Sequence, residues 1–197
     1  MQDVLKKIGP VLRSLGFRGS GQYFRKVDGD FIFVINFQGS RWGANFYVNL
    51  GAQPMFIPAE GDADLTKVKE YECVLRRRVG QDWPWEMPRE RFVTLVEDIT
   101  STQAAFFGHA QTLRASLAVD PPDELIRKFS SGTTAAKAAL HLARAAAALG
   151  HRETALALVA RGMELTGDRA KGLRDDLQSV FDTVRERLTA DNHSPGH

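Results

Sequence analysis

Cysteine is almost absent from the 197-residue chain, which carries only Cys73. A single cysteine cannot form a disulfide within the chain, and in strand-like surroundings it is typical of a small buried side chain rather than a nucleophile. No apolar run reaches the roughly eighteen residues that a membrane-spanning helix needs. The opening residues also lack the apolar core of an export signal. We therefore expect a cytoplasmic protein with no membrane span.

An excess of charge of one sign is also missing. The formal net charge is +2 at pH 7; residues 1–88 carry 12 Lys and Arg against 10 Asp and Glu, and residues 89–197 carry 14 of each kind. Proteins that bind nucleic acid use clustered basic residues to neutralise phosphates. The charge balance therefore argues against a nucleic-acid partner.

The sequence lacks the common catalytic and metal-binding motifs. His109, His141 and His151 do not have the spacing that places two metal ligands on one helix face. The glycine-rich segment 16–21 leads into a predicted strand rather than a helix, so it lacks the helix dipole that phosphate sites use. We predict no catalytic residue, no metal and no cofactor, and we favour a protein that is not an enzyme.

Two segments in the first half of the chain alternate with the period of a β-strand. The first runs from Phe31 to Gln38 and the second from Asn45 to Leu50. The apolar positions that share one face are Phe31, Phe33, Ile35, Phe37, Phe46, Val48 and Leu50. We predict that these apolar side chains form the core side of an antiparallel sheet.

The opposite face of the same two strands collects carboxamides. Pairing the strands brings together Asn36, Gln38 and Asn49, with Tyr47 beside them. Two interpretations are open. The amides either satisfy loops or helices that cover them and fix the strand register, or they form a recognition surface.

Arginines border this polar face. Strand alternation sends Arg76 and Arg78 to one side and Arg77 to the other, so the first two are placed to bind an anion or a partner's carboxylate. The alternative is a solvated or internally paired strand. At the turn between the two strands, Arg41 and Trp42 are residue types enriched in binding hot spots. The predicted ligand or partner surface is Asn36, Gln38, Ser40, Arg41, Trp42, Tyr47, Asn49, Arg76 and Arg78.

Several landmarks follow one another along the first half of the chain. They are a helix end at Leu15-Gly16-Phe17, the run Asn-Phe-Gln-x-Ser from Asn36, an aromatic-x-Val-Asn-Leu-Gly run that ends at Gly51, Arg78-Val79-Gly80, and Trp83-Pro84-Trp85. Their order resembles the uncharacterised bacterial family called domain of unknown function 4304. The resemblance implies a small α+β domain in a bacterial protein and no established activity.

The complete pattern predicts an α+β fold. A first helix ends at Gly16, three antiparallel strands follow, and Tyr71 to Val79 is a fourth strand. A long helix that starts near Pro88 and continues to Leu113 is predicted to cover the apolar face of the sheet. The fold is therefore a three- to four-stranded antiparallel sheet packed by an N-terminal helix and a long helix.

The C-terminal part predicts a helical hairpin with a capping helix from Arg169 to about Leu188. Its small and apolar packing residues include Leu142, Ala143, Ala146, Gly150, Ala155 and Val159. The hairpin, residues 136–168, resembles a single tetratricopeptide-type unit, and a generic helical hairpin explains the same spacing equally well. We place a sheet domain at residues 1–118, a helical segment at 119–190 and a disordered tail at 191–197.

These observations favour a cytoplasmic bacterial protein that binds another protein, for example as an immunity or antitoxin-like neutraliser. The alternative is a small-molecule ligand-binding domain or enzyme that uses the polar sheet face. RNA binding, with Tyr23 and Tyr47 as stacking platforms, is a third hypothesis that the charge balance weakens.

Overall fold

The computed structural model describes residues 2–41, 43–167 and 169–192. These residues form two compact units that divide between Gln111 and Thr112. The predicted binding residue Trp42 lies outside the described residues, as do residue 168 at the predicted end of the hairpin and residues 193–197 of the predicted tail.

The described part of the first unit contains two α-helices, five strands and two short 3₁₀ turns in the connection between the last two strands. In chain order the α-helices and strands are α1 (Gln2–Ser14), β1 (Arg18–Ser20), β2 (Tyr23–Asp28), β3 (Phe31–Gly39), β4 (Asn45–Pro54), β5 (Leu75–Pro84) and α2 (Arg89–Gln111). The described part of the second unit is helical, with α3 (Leu113–Val119), α4 (Pro122–Phe129), α5 (Ala135–Ala148), α6 (Arg152–Leu165) and α7 (Lys171–Asn192). The predicted α+β class is confirmed.

The sheet is an antiparallel meander in the order β1-β2-β3-β4-β5. It has one strand more than predicted, because the three residues of β1 are all exposed and carry no alternation. The predicted start of the last strand is wrong: Tyr71 lies in a short 3₁₀ turn, and β5 begins at Leu75. That strand also continues past Gly80 to Pro84, because the register with β4 shifts between Phe46 and Val48 and absorbs the extra residues.

The apolar face of the sheet is buried against α2, as the helical pattern predicts. Leu95 and Ile99 of α2 are fully buried, and the ring of Phe107 stacks on Phe33 of β3 with centroids 4.2 Å apart. The predicted end of this helix at Leu113 is wrong. Helix α2 ends at Gln111, and after a short break Leu113 begins the next helix, α3.

The second unit contains the predicted hairpin and its capping helix. Helices α5 and α6 are joined through Gly150, whose φ of +82° is a conformation that glycine adopts without strain. Leu177 of α7 is fully buried and packs so closely on Gly162 of α6 that a Cβ there would lie 2.9 Å from its Cδ2. Helix α7 extends to Asn192, so the first two residues of the predicted tail are helical.

The opposite face of the sheet is half covered by the connection between β4 and β5, residues 55–74. The contact is closest at Gly51, where a Cβ atom would lie 2.7 Å from Cys73 Sγ and 3.0 Å from Glu70 Cα. Real Cβ atoms do not approach other atoms so closely, so Gly51 is needed for the connection to lie directly on the sheet.

We expect Gly51→Ala to lower the free energy of unfolding by about 1 to 3 kcal/mol, since the added methyl group overpacks this contact. Urea denaturation of the full chain measures the change. The control is Gly108→Ala in α2, where an added Cβ meets no described residue within 4 Å apart from its chain neighbours and the helix's own backbone. Alanine there favours the helix by about 0.5 to 1 kcal/mol. Equal stability of the two variants would contradict the close contact at Gly51.

Candidate functional site

A row of side chains crosses four strands of the sheet on the face opposite the apolar core. The strand registers place Tyr23 opposite Asn36, Asn36 opposite Asn49, and Asn49 opposite Arg78. Directly opposed residues of antiparallel strands point to the same face, so these side chains stand next to one another. Gln38 and Tyr47 are opposed in the adjacent row. We call Asn36, Gln38, Tyr47, Asn49 and Arg78 the polar surface.

Asn49 is the centre of the hydrogen bonds in the polar surface. Its Nδ2 donates to Gln38 Oε1 at 2.9 Å, and its Oδ1 accepts from Arg78 Nε at 3.1 Å. Asn36 makes longer contacts, with its Oδ1 3.5 Å from Asn49 Nδ2 and its Nδ2 3.4 Å from the Gln22 carbonyl oxygen. Both asparagines are buried, at 3% exposed for Asn36 and 7% for Asn49. The shorter hydrogen bonds, those of Asn49, are therefore made to other side chains of the sheet.

Arg78 is the exposed end of this network. Its Cζ lies 4.2 Å from the centroid of the Tyr47 ring, while its Nε is held by Asn49. Within the described residues, its two terminal nitrogens have no hydrogen-bond partner. A guanidinium that is already held on two sides loses little conformational freedom when it binds a carboxylate.

The other two arginines of β5 follow the predicted alternation. Arg76 is opposed to Gly51 and so shares the face of Arg78, whereas Arg77 is opposed to Leu50 and stands on the other side. Arg76 Nη1 donates to the Tyr71 carbonyl oxygen at a long 3.4 Å. Arg77 is exposed, although its neighbour Leu50 is fully buried.

The remaining predicted binding residues lie at the turn between β3 and β4. The Ser40 N–H donates to Asn45 O at 2.8 Å, and the Gly43 N–H donates to Ser40 O at 3.0 Å. These bonds place Ser40 in the turn, and Arg41 follows it with an exposed side chain. Both residues lie beyond the end of β3, outside the polar surface.

The covered half of this face is apolar. Ile32 and Val34 of β3 pack with Ala59, Val68 and Cys73 from the connection between β4 and β5. Burial raises the pKa of the Cys73 thiol well above its usual range. The thiol therefore stays protonated and acts as a small apolar side chain, as expected from the sequence.

Glu70 is a buried acid that sequence reasoning missed. It is 9% exposed, its Oε2 has no hydrogen-bond partner among the residues that the structure describes, and burial raises the pKa of its carboxyl group. Its Cα lies over Gly51, so the residue is buried because the connection folds onto the sheet. No local pattern marks that event, since the two residues are far apart in the chain.

Two further observations concern metals and membranes. Among the described residues, no group of three or more His, Cys, Asp or Glu side chains is arranged to hold a metal ion. No described helix is both long and apolar enough to cross a membrane.

The fold and the polar surface define a small antiparallel-sheet domain whose amide-lined face ends in an exposed arginine. Residues 8–104 match the model of the family described as Domain of unknown function (DUF4304), which is the family that the motifs of this part of the chain predict. No curated protein and no solved structure matches the chain. The family match does not extend into the helical unit, and the tetratricopeptide resemblance of that unit is not confirmed.

We expect Asn49→Leu to lower the free energy of unfolding by about 1 to 3 kcal/mol, because it leaves the buried Asn36 Oδ1 without its contact to Asn49 Nδ2 and also removes the bonds to Gln38 and Arg78. The melting temperature and urea denaturation measure the loss. Gln81→Leu is the control, since Gln81 is an exposed amide on β5. If Asn49→Leu were as stable as the control, the amide network would contribute nothing to folding.

We expect Glu70→Gln to raise the free energy of unfolding at pH 8 by roughly 1 kcal/mol, because the neutral amide avoids the cost of burying a charged carboxylate. The folded-state pKa of Glu70 is raised, so the wild-type chain loses stability as pH rises through that pKa. Below the ordinary pKa of a glutamate both states are protonated, and the gain from Gln shrinks. Urea denaturation at pH 8 and pH 4 compares the two conditions.

The matched control for this change is Glu72→Gln. Glu72 lies two residues away and accepts a bond from the Lys69 N–H at 2.7 Å through Oε2. Its replacement removes a satisfied charge, so no gain in stability is expected at pH 8. A gain of the same size in both variants would mean that net charge, rather than the burial of Glu70, sets the effect.

Proposed function

We propose that this chain is a non-enzymatic binding protein that captures another protein through Arg78 and the side chains around it. The observation that carries the proposal is the Arg78 guanidinium, which is exposed, stacked on Tyr47 and unpaired at its terminal nitrogens within the described residues. Arginine and tyrosine are enriched among the few residues that dominate binding energy at protein interfaces.

The hydrogen-bond pattern favours a protein partner over a small polar ligand. A small ligand that reads amides needs their donors and acceptors to be available. Asn49 uses both its Nδ2 and its Oδ1 within the sheet. The exposed groups that remain, on Gln38 and Arg78, suit a contact with the broad surface of a protein.

The chemistry of the exposed groups indicates an acidic contact on the partner. A guanidinium donates two parallel hydrogen bonds to a carboxylate, which adds specificity to the charge attraction. Arg76 stands on the same face and adds positive charge. RNA is a poorer fit, because Arg78 covers the Tyr47 ring on which a base would stack, and the net charge is only +2.

The proposal places this complex in the bacterial cytoplasm, which the family resemblance and the composition favour. An immunity or antitoxin-like protein is the form of the proposal that we prefer. Such a protein acts by occupying a surface of its target, and it needs no catalytic group of its own.

We expect Arg78→Gln to abolish capture of a stoichiometric protein partner from a lysate of the host bacterium, because it removes the held guanidinium. Arg77→Gln is the matched control: it makes the same change of charge one residue away, on an exposed side chain of the other face. Affinity capture with mass spectrometry compares wild type and both variants. Equal capture by Arg78→Gln and Arg77→Gln would mean that Arg78 is not in the contact.

A further inference from the structure

Strand β5 forms an outer edge of the sheet. It pairs with β4 on one side, and no strand within the described residues pairs with its other side. On an outer strand, alternate backbone N–H and C=O groups point away from the sheet without a strand partner. Regular pairing with β4 runs from Leu75 to Val79, before Gly80, whose φ is +59°. The edge is therefore a regularly paired segment of five residues.

The charge of this edge selects against a second copy of the chain. Arg76, Arg77 and Arg78 occupy three of its five positions. Two copies joined edge to edge would bring these arginines together, and like charges on neighbouring strands destabilise the pairing. A strand of opposite charge meets no such penalty.

We infer that β5 accepts an extended acidic segment of the partner as an added strand, an inference that rests on the proposed function. Arg76 and Arg78 stand on one face two residues apart, about 6.6 Å along the strand. Acidic side chains at alternate positions of an added strand stand on that face at the same spacing. Backbone hydrogen bonds supply affinity in this mode of recognition, and the alternate side chains supply specificity.

The recognised segment is therefore three residues long. Its first and third residues are acidic, and its second is any residue that suits a strand. Its two carboxylates lie beside Arg76 and Arg78, and the residue between them points to the side of Arg77. The sequence of the partner needs no further feature for this contact, because an edge strand reads the backbone of any extended chain.

The test uses the full chain and a labelled peptide, acetyl-Thr-Glu-Val-Glu-Thr-amide, at physiological salt. Fluorescence polarisation measures its dissociation constant. We expect binding to wild type and to Arg77→Gln, weaker binding to Arg78→Gln, and no binding of the peptide in which both Glu residues are replaced by Lys. No binding of the acidic peptide to wild type overturns the inference.

Two N-methylated peptides separate strand addition from charge attraction. Neighbouring N–H groups of a strand point in opposite directions, so methylation of the central Val and methylation of the second Glu block opposite edges of the peptide. We expect one methylated peptide to lose affinity about tenfold, the loss of roughly one hydrogen bond, and the other to keep it. Equal affinities of the two methylated peptides overturn strand addition.

The outcome separates this inference from the proposed function. A partner that depends on Arg78, together with equal affinities of the two methylated peptides, leaves the proposed function in place and rejects strand addition. The opposite result is also informative. If the two methylated peptides differ in affinity but affinity capture finds no partner that depends on Arg78, the proposed function is rejected, and β5 remains an edge that accepts acidic strands.

Discussion

The pairing of β3 with β4 is the constraint on which the rest of the sheet domain depends. Its register sets Phe37 against Val48 and Asn36 against Asn49. Because successive side chains of a strand point to opposite faces, a slip of one residue would expose the aromatic core and bury the amides in its place. The hydrogen bond that Asn49 Nδ2 donates to Gln38 Oε1 also exists only in this alignment. Apolar burial and the amide network therefore specify the same register.

The connection between β4 and β5 then divides the second face into two parts with different roles. Gly51 lets this connection lie directly on the sheet, and the covered part becomes a small apolar cluster around Val34 and Cys73. The same contact buries Glu70 with one carboxylate oxygen that has no partner in the described part of the chain. We interpret the apolar cluster as the compensation for that unfavourable burial. The uncovered part keeps Arg78 at the surface, so one packing event both stabilises the sheet and limits the extent of the candidate site.

Much of the candidate site could be predicted from the sequence because it follows from the strand period. Alternation placed Asn36, Gln38, Tyr47 and Asn49 on one face and separated Arg77 from its two neighbours, and the registers agree. Ser40 and Arg41 do not belong to this alternation: Arg41 is predicted from its residue type at a turn, and both residues lie beyond the end of β3. The short strand β1 and the break between α2 and α3 leave no periodic signal, so they were not predicted.

The sequence by itself determined the α+β class, the two faces of the central strands and the order of motifs in the part of the chain that matches the family model. These properties depend on residues within a few positions of one another, and local periodicity records them. Only the tertiary structure decided which part of the polar face is covered, that Glu70 is buried, and that Arg78 is held by Asn49 and Tyr47. Those properties depend on contacts between residues about twenty to thirty positions apart, and the energy of such contacts leaves no pattern in the sequence on either side.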